Sequence, residues 1–79
     1  VSAVRVRLFA AAAEAVGAQE VALPAATARD LRVALASRGD DAPRVIAQCA
    51  LLRDGSRLED SAALVAGDLV DVLPPFAGG

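Results

Sequence analysis

Side chains able to do chemistry are scarce in this sequence. It contains no His, Lys, Tyr, Trp or Met, and its one Cys is Cys49. Without His, a carboxylate has no imidazole with which to share a proton, and Ser or Cys has no neutral base to activate it. Without Lys there is no amine for a Schiff base. One thiol and no imidazole do not make an ordinary zinc or haem site. Asp, Glu, Arg, a few Ser, Thr27, Cys49 and the chain ends remain. That inventory favours a carrier or binding module over a self-sufficient enzyme, with no metal and no bound cofactor.

The remaining groups are weak candidates one by one. Cys49 could carry a persulfide, but a single thiol among Ala, Val and Leu is more often a small buried hydrophobe. Glu59-Asp60 offers oxygens to a cation, yet two adjacent acids without a wider oxygen cluster are usually only hydrated. Asp54-Gly55 reads as a hairpin turn.

The last six residues stand apart. They read Pro74-Pro75-Phe76-Ala77-Gly78-Gly79. Two prolines cannot continue a sheet interior and favour extended backbone. Phe76, one of two aromatics, lies past the last expected element, where it suits a pocket on another protein. Six extended residues reach roughly 20 Å. Gly78 and Gly79 could thread a channel too narrow for any side chain. A terminal carboxylate, with a pKa near about 3.5, is ionised at neutral pH and a poor electrophile until activated. Residues 74–79 are therefore expected to form a flexible tail on a domain spanning 1–73, with Gly79 as the reacting end and Pro74, Pro75, Phe76, Ala77 and Gly78 engaging a partner.

Something must hold that tail out. The chain has 79 residues and 8.0 kDa, enough for one domain. Of its 44 apolar residues 20 are Ala, so the core must be simple. From Ala3 to Phe9 apolar and charged residues alternate, the period of a strand with one covered face. This puts Arg5, Arg7 and Phe9 on the open side, with Phe9 a candidate partner contact. Ala10 to Val16 predicts a short helix stopped by Gly17, and Gln19 to Leu23 a second strand. Thr27 and Asp30 resemble a capping box for a main helix over 28–38, ended by Gly39. Pro43 opens a further helical turn through Ile46 and Cys49. Ala50 to Arg53 and a return through Arg57 and Leu58 predict a hairpin. Leu64-Val65 suggests a helical turn, and Leu69 to Leu73 a last strand. The covered layer would use Val4, Val6, Leu8, Val21, Leu23, Leu31, Leu35, Leu51, Leu58, Val70 and Val72. The class is α+β in two layers, a sheet with one main helix packed across one face.

Charge narrows the partners. All eight bases are Arg, against ten acids, for a net charge of −2, which disfavours nucleic acid. Residues 1–39 carry a net charge of +2 and residues 40–79 one of −4, so the tail end would attract a basic partner site. No apolar run approaches the ~20 residues of a membrane span. The apolar stretch Leu8–Ala13 is short for a signal peptide and is followed at once by Glu14. A lone Cys suits a reducing compartment, so the expectation is a cytoplasmic protein that engages no membrane.

On these residues the chain resembles the ubiquitin-like sulfur carriers, in particular the small subunits of molybdopterin synthase. The likeness is carried by Arg7-Leu8-Phe9-Ala10 with Glu14-Ala15-Val16-Gly17, by Ala66-Gly67-Asp68-Leu69-Val70, and above all by Pro74-Pro75-Phe76-Ala77-Gly78-Gly79. The resemblance implies a β-grasp fold with a mixed sheet. It implies that an E1-like enzyme uses ATP to adenylate Gly79, and that a sulfur donor displaces AMP to leave a thiocarboxylate. The tail then enters the synthase large subunit, in a heterotetramer, and gives its sulfur to cyclic pyranopterin monophosphate for the molybdenum cofactor. The large subunit would supply the acid–base groups this chain lacks. A carrier for thiamine or cysteine synthesis, a ubiquitin-like modifier joined through Gly79, and a binding module without tail chemistry are the alternatives.

Overall fold

The computed structural model describes residues 3–75. The Val-Arg alternation becomes strand β1 (Ala3–Leu8), with Val4, Val6 and Leu8 buried and Ala3, Arg5 and Arg7 exposed. Helix α1 (Ala11–Val16) ends at Gly17, whose left-handed φ of 86° suits a residue without a Cβ. Strand β2 (Glu20–Pro24) returns antiparallel to β1. Then come α2 (Ala28–Ala36), α3 (Ala42–Gln48), β3 (Ala50–Arg53), β4 (Ser56–Arg57) and β5 (Leu69–Leu73).

The strand order is β2-β1-β5-β3-β4. β5 runs parallel to β1 and antiparallel to β3, so the sheet is mixed. The last strand in sequence is therefore the central one in space. The three helices share one side of the sheet, with α3 against both α1 and α2. Between the layers lie Val4, Val6, Val70, Val72, Leu31, Leu35, Ile46 and Leu51, each 0–1% exposed. This is the expected two-layer α+β plan.

The differences have physical causes. Ten of the eleven residues expected in the covered layer are buried; Val21 is half-buried because β2 is an edge strand, where the helical layer thins. α3 is a full element, and its Ala42, Val45 and Ile46 extend the core beyond one main helix. α2 stops at Ala36, before Gly39. Gly39 serves another purpose: it lies so close to α1 that a Cβ there would collide with the Ala15 carbonyl oxygen. No helical turn forms at Leu64-Val65. That segment is extended against the start of α2, with Ala63 bridged to Thr27 and the Leu64 N–H donating to Ala26 O at 2.9 Å.

That extended loop completes the α2 N-terminus. The Asp30 N–H donates to Thr27 Oγ1 at 3.2 Å, as the capping pattern predicts. The Ala28 and Arg29 N–H groups donate to Ala62 O and Asp60 O at 3.0 and 2.9 Å. The first-turn amides of a helix have no partners of their own. Here the loop supplies them, which fixes α2 to the segment leading into β5.

Candidate functional site

The chain leaves the sheet from its centre. On β5, Val70 and Val72 point into the core, while Leu69, Asp71 and Leu73 take the opposite, helix-free face. Beyond Leu73, Pro74 is buried and Pro75 is exposed in a turn. Proline at this point ends the ladder because it has no N–H to give it. Of the residues expected to act, Phe76, Ala77, Gly78 and Gly79 lie outside the described residues.

The surface around that exit is built by strand register. Leu73 stands opposite Ala50, and Asp71 opposite Leu52, which in turn faces Arg57. Gln48, Ala50, Leu52, Arg57, Leu73, Pro74 and Pro75 line one open groove. Its walls are mostly apolar, yet no helix covers it. Phe9, 38% exposed, follows β1 on the neighbouring side. Its N–H donates to Val72 O at 3.3 Å, which sets it beside the Leu73 end of β5. It lines a second concavity with Arg7, Gln19 and Glu20. The structure thus brings Phe9, Pro74 and Pro75 to one end of one face.

Charge on that face is divided. Arg5 pairs with Glu20, Nη2 to Oε2 at 2.8 Å, and Arg7 grips both Asp71 oxygens at 2.7 and 3.0 Å. The Asp71 hydrogen bonds, then its charge, push the Arg7 guanidinium still higher, so it is a permanent cation. Arg5 and Arg7, expected on the open face, are there but neutralised. Arg57 forms no ion pair among the described residues.

Sequence reasoning did not assign Leu52, Leu73, Ala50, Gln48 or Arg57 to a site. A signal was present: Leu69 and Leu73 are out of phase with Val70 and Val72, and Leu52 with Leu51. A strand apolar on both faces asks for a cover on both.

The other candidates resolve into structure. Cys49 is 2% exposed and its Sγ–H donates to Val45 O at 3.2 Å. Burial pushes its thiol up and so favours the neutral form, against the opposing pull of the Arg32 charge. Cys49 is a core residue. Asp60 accepts from Arg32 Nε at 3.1 Å, and Arg32 also caps Ile46 O at 2.7 Å, so this acid ties α2 to the loop. Asp54 and Gly55 both have positive φ, 53° and 79°, the mirror-image turn expected of Asp-Gly. Arg53 joins Ala63 O and Asp68 Oδ2 at 3.0 and 2.9 Å, and Asp68 also accepts the Val65 N–H at 3.0 Å. Among the described residues no group of three or more His, Cys, Asp or Glu is placed to hold a metal ion, and no helix is long and apolar enough to cross a membrane.

Comparison with known proteins adds to this geometry. The ThiS family model matches residues 6–79, which spans both the globule and the tail.

The chain belongs to the ThiS family.

Its fold is the β-grasp of ubiquitin-like sulfur carriers. Among solved structures it is similar to small archaeal modifier protein 1 (SAMP1) from Methanosarcina acetivorans, 24% identical, covering 99% of this chain and 97% of that one with a TM-score of 0.84. SAMP1 from Haloferax volcanii is 29% identical, covering 99% and 100%, with a TM-score of 0.76. It is also similar to a chain of the complex of subunits 1 and 2 of the molybdopterin-converting factor from Helicobacter pylori, 23% identical, covering 98% and 99%, with a TM-score of 0.70. No curated protein matches the sequence. For a ThiS-family chain the central exit of β5 has a plain mechanical meaning: the residues after Leu73 start from a strand paired on both sides, to β1 and to β3.

Proposed function

We propose that this ThiS-family chain is the sulfur carrier subunit of a molybdopterin synthase, with Gly79 as the reacting residue. The Gly79 carboxylate attacks ATP on an E1-like enzyme, pyrophosphate leaves, and an acyl-adenylate results. A sulfur nucleophile then displaces AMP, which carries away one carboxylate oxygen, and a thiocarboxylate remains. On the large subunit the sulfur passes to cyclic pyranopterin monophosphate, and water restores the carboxylate. Two small and two large subunits form the working heterotetramer, in the cytoplasm. The chain binds no cofactor; ATP is consumed by the activating enzyme.

One observation carries this reading: the central strand runs out through Pro74 and Pro75 beside an uncovered apolar groove, in a chain without His or Lys whose sequence continues Phe76-Ala77-Gly78-Gly79. The groove and Phe9 suit a partner that docks on the open face, while the glycines suit a narrow pocket. The complex of subunits 1 and 2 from H. pylori supports a large-subunit partner. The SAMP1 likenesses support a second reading, a protein modifier joined through Gly79.

Intact mass separates these. Incubation with the activating enzyme, ATP and sulfide should shift the chain by one oxygen-to-sulfur exchange, and an unchanged mass would end the carrier reading. Adding the large subunit and the pterin precursor should then discharge the sulfur. Failure there, with loading intact, points to the thiamine or cysteine pathways. Heavier conjugates in lysate, lost when Gly79 is deleted, point to the modifier.

A further inference from the structure

Among the described residues, the open face contains one charge without an ion-pair partner. Arg5 and Arg7 are paired with Glu20 and Asp71. In the acidic half, Arg44 pairs with Asp41 and Arg53 with Asp68. Arg57 alone of that half's arginines has no acidic partner among the described residues. It projects from β4 opposite Leu52, on the face β5 shares through Leu73. Among the described residues it is also the only ionisable side chain lining the exit groove, whose other walls are apolar or neutral.

A cation at the edge of an apolar groove has a defined effect on docking. In free solution Arg57 is hydrated and costs nothing. When a partner covers Leu52 and Leu73 the local dielectric falls, and an unpaired guanidinium loses hydration without recompense. A partner carboxylate in reach of its planar fork removes that cost through a bidentate pair. A partner Lys or Arg at the same place is repelled.

We infer that Arg57 is the specificity-determining residue of the exit groove, and that the large-subunit segment seated there presents a carboxylate beside an apolar side chain. This rests on the carrier reading, which names the large subunit. It goes further in stating what chemistry that subunit must offer, on a surface separate from the pocket that takes the tail.

The test is calorimetric titration of the full chain against the large subunit at low and high salt, with sulfur loading of every variant measured in parallel. Arg57→Glu should weaken binding by about tenfold or more at low salt. Arg57→Lys should retain most of the affinity. Arg57→Gln should flatten the salt dependence, because the screened pair is gone. Leu52→Asp should weaken binding at any salt. If Arg57→Glu binds like the parent while Leu52→Asp does not, the groove docks without reading charge and the inference is overturned. If both bind like the parent while loading and transfer proceed, the partner sits elsewhere: the inference falls and the carrier reading stands. If the parent does not bind the large subunit at all, the inference falls; with loading intact the chain is still a sulfur carrier, of another pathway, and without loading the carrier reading falls too. A dimer of this chain that Arg57→Glu dissolves would give the groove to a second copy and overturn the inference.

Discussion

β1 and β5 each present two faces that obey different demands. On the covered face Val4, Val6, Val70 and Val72 are 0% exposed, and the residues that meet them are all from this chain. On the open face of the same strands stand Arg5, Arg7, Leu69, Asp71 and Leu73, exposed or half-buried. The first face is specified by close packing, where any lost methylene is felt. The second holds the paired charges Arg5, Arg7 and Asp71 along its length and the half-buried Leu73 where β5 ends. Side chains one position apart thus divide folding from recognition.

Removing bulk from the covered face tests that division most severely. Leu31→Ala should lower unfolding free energy by about 2–5 kcal/mol in urea titration, with sulfur loading retained by the folded fraction. Gly39→Ala should cost about 1–3 kcal/mol by overpacking α1, read in the same way; an unchanged midpoint would mean that α1 and the 37–41 turn can move apart freely. On the recognition side, Phe76→Ala should weaken large-subunit binding by about 2 kcal/mol while leaving the urea midpoint in place. An unchanged dissociation constant would remove Phe76 from the anchor role.

Two smaller effects concern the seams between the faces. Ala10, where the chain passes from β1 into the helical layer, has φ 52° and ψ −127°, a conformation that suits glycine. Ala10→Gly should therefore stabilise by about 1 kcal/mol, although Gly for Ala normally destabilises. Asp68 ties the loop before β5 to Arg53, and its carboxyl is held below the usual 3.8, first by the Val65 N–H and then by Arg53. A lowered carboxyl contributes stability that is complete above its unfolded value and is lost as pH falls through the folded one. Asp68→Asn should thus flatten the acid limb of stability below about pH 4, and an identical limb in both proteins would contradict this.

Much of the covered face was legible because its signals are local. Alternation along Ala3–Leu8, the Gly17 stop, the Thr27 cap and the Asp54-Gly55 turn each act within a few residues, and each is found in place. The end of α2 was misplaced because Gly39 answers to a contact with α1 rather than to its own helix. Leu64-Val65 is extended rather than helical because the Leu64 N–H donates to Ala26 O, while the preceding Asp60 and Ala62 carbonyls accept from the first amides of α2. The tail was legible as a candidate from composition alone. The groove beside it was not, because Gln48, Ala50, Leu52, Arg57 and Leu73 carry no shared motif.

By itself the sequence determined the periods, caps and turns, and that the chain contains neither His nor Lys. Only the tertiary structure decided that β5 lies at the centre, that Arg7 finds Asp71 across 64 positions of chain, and that Arg57 is left without an acid among the described residues. The reason is range. Backbone preferences act over one or two turns, whereas pairing the first strand with the last requires closing a loop through most of the molecule.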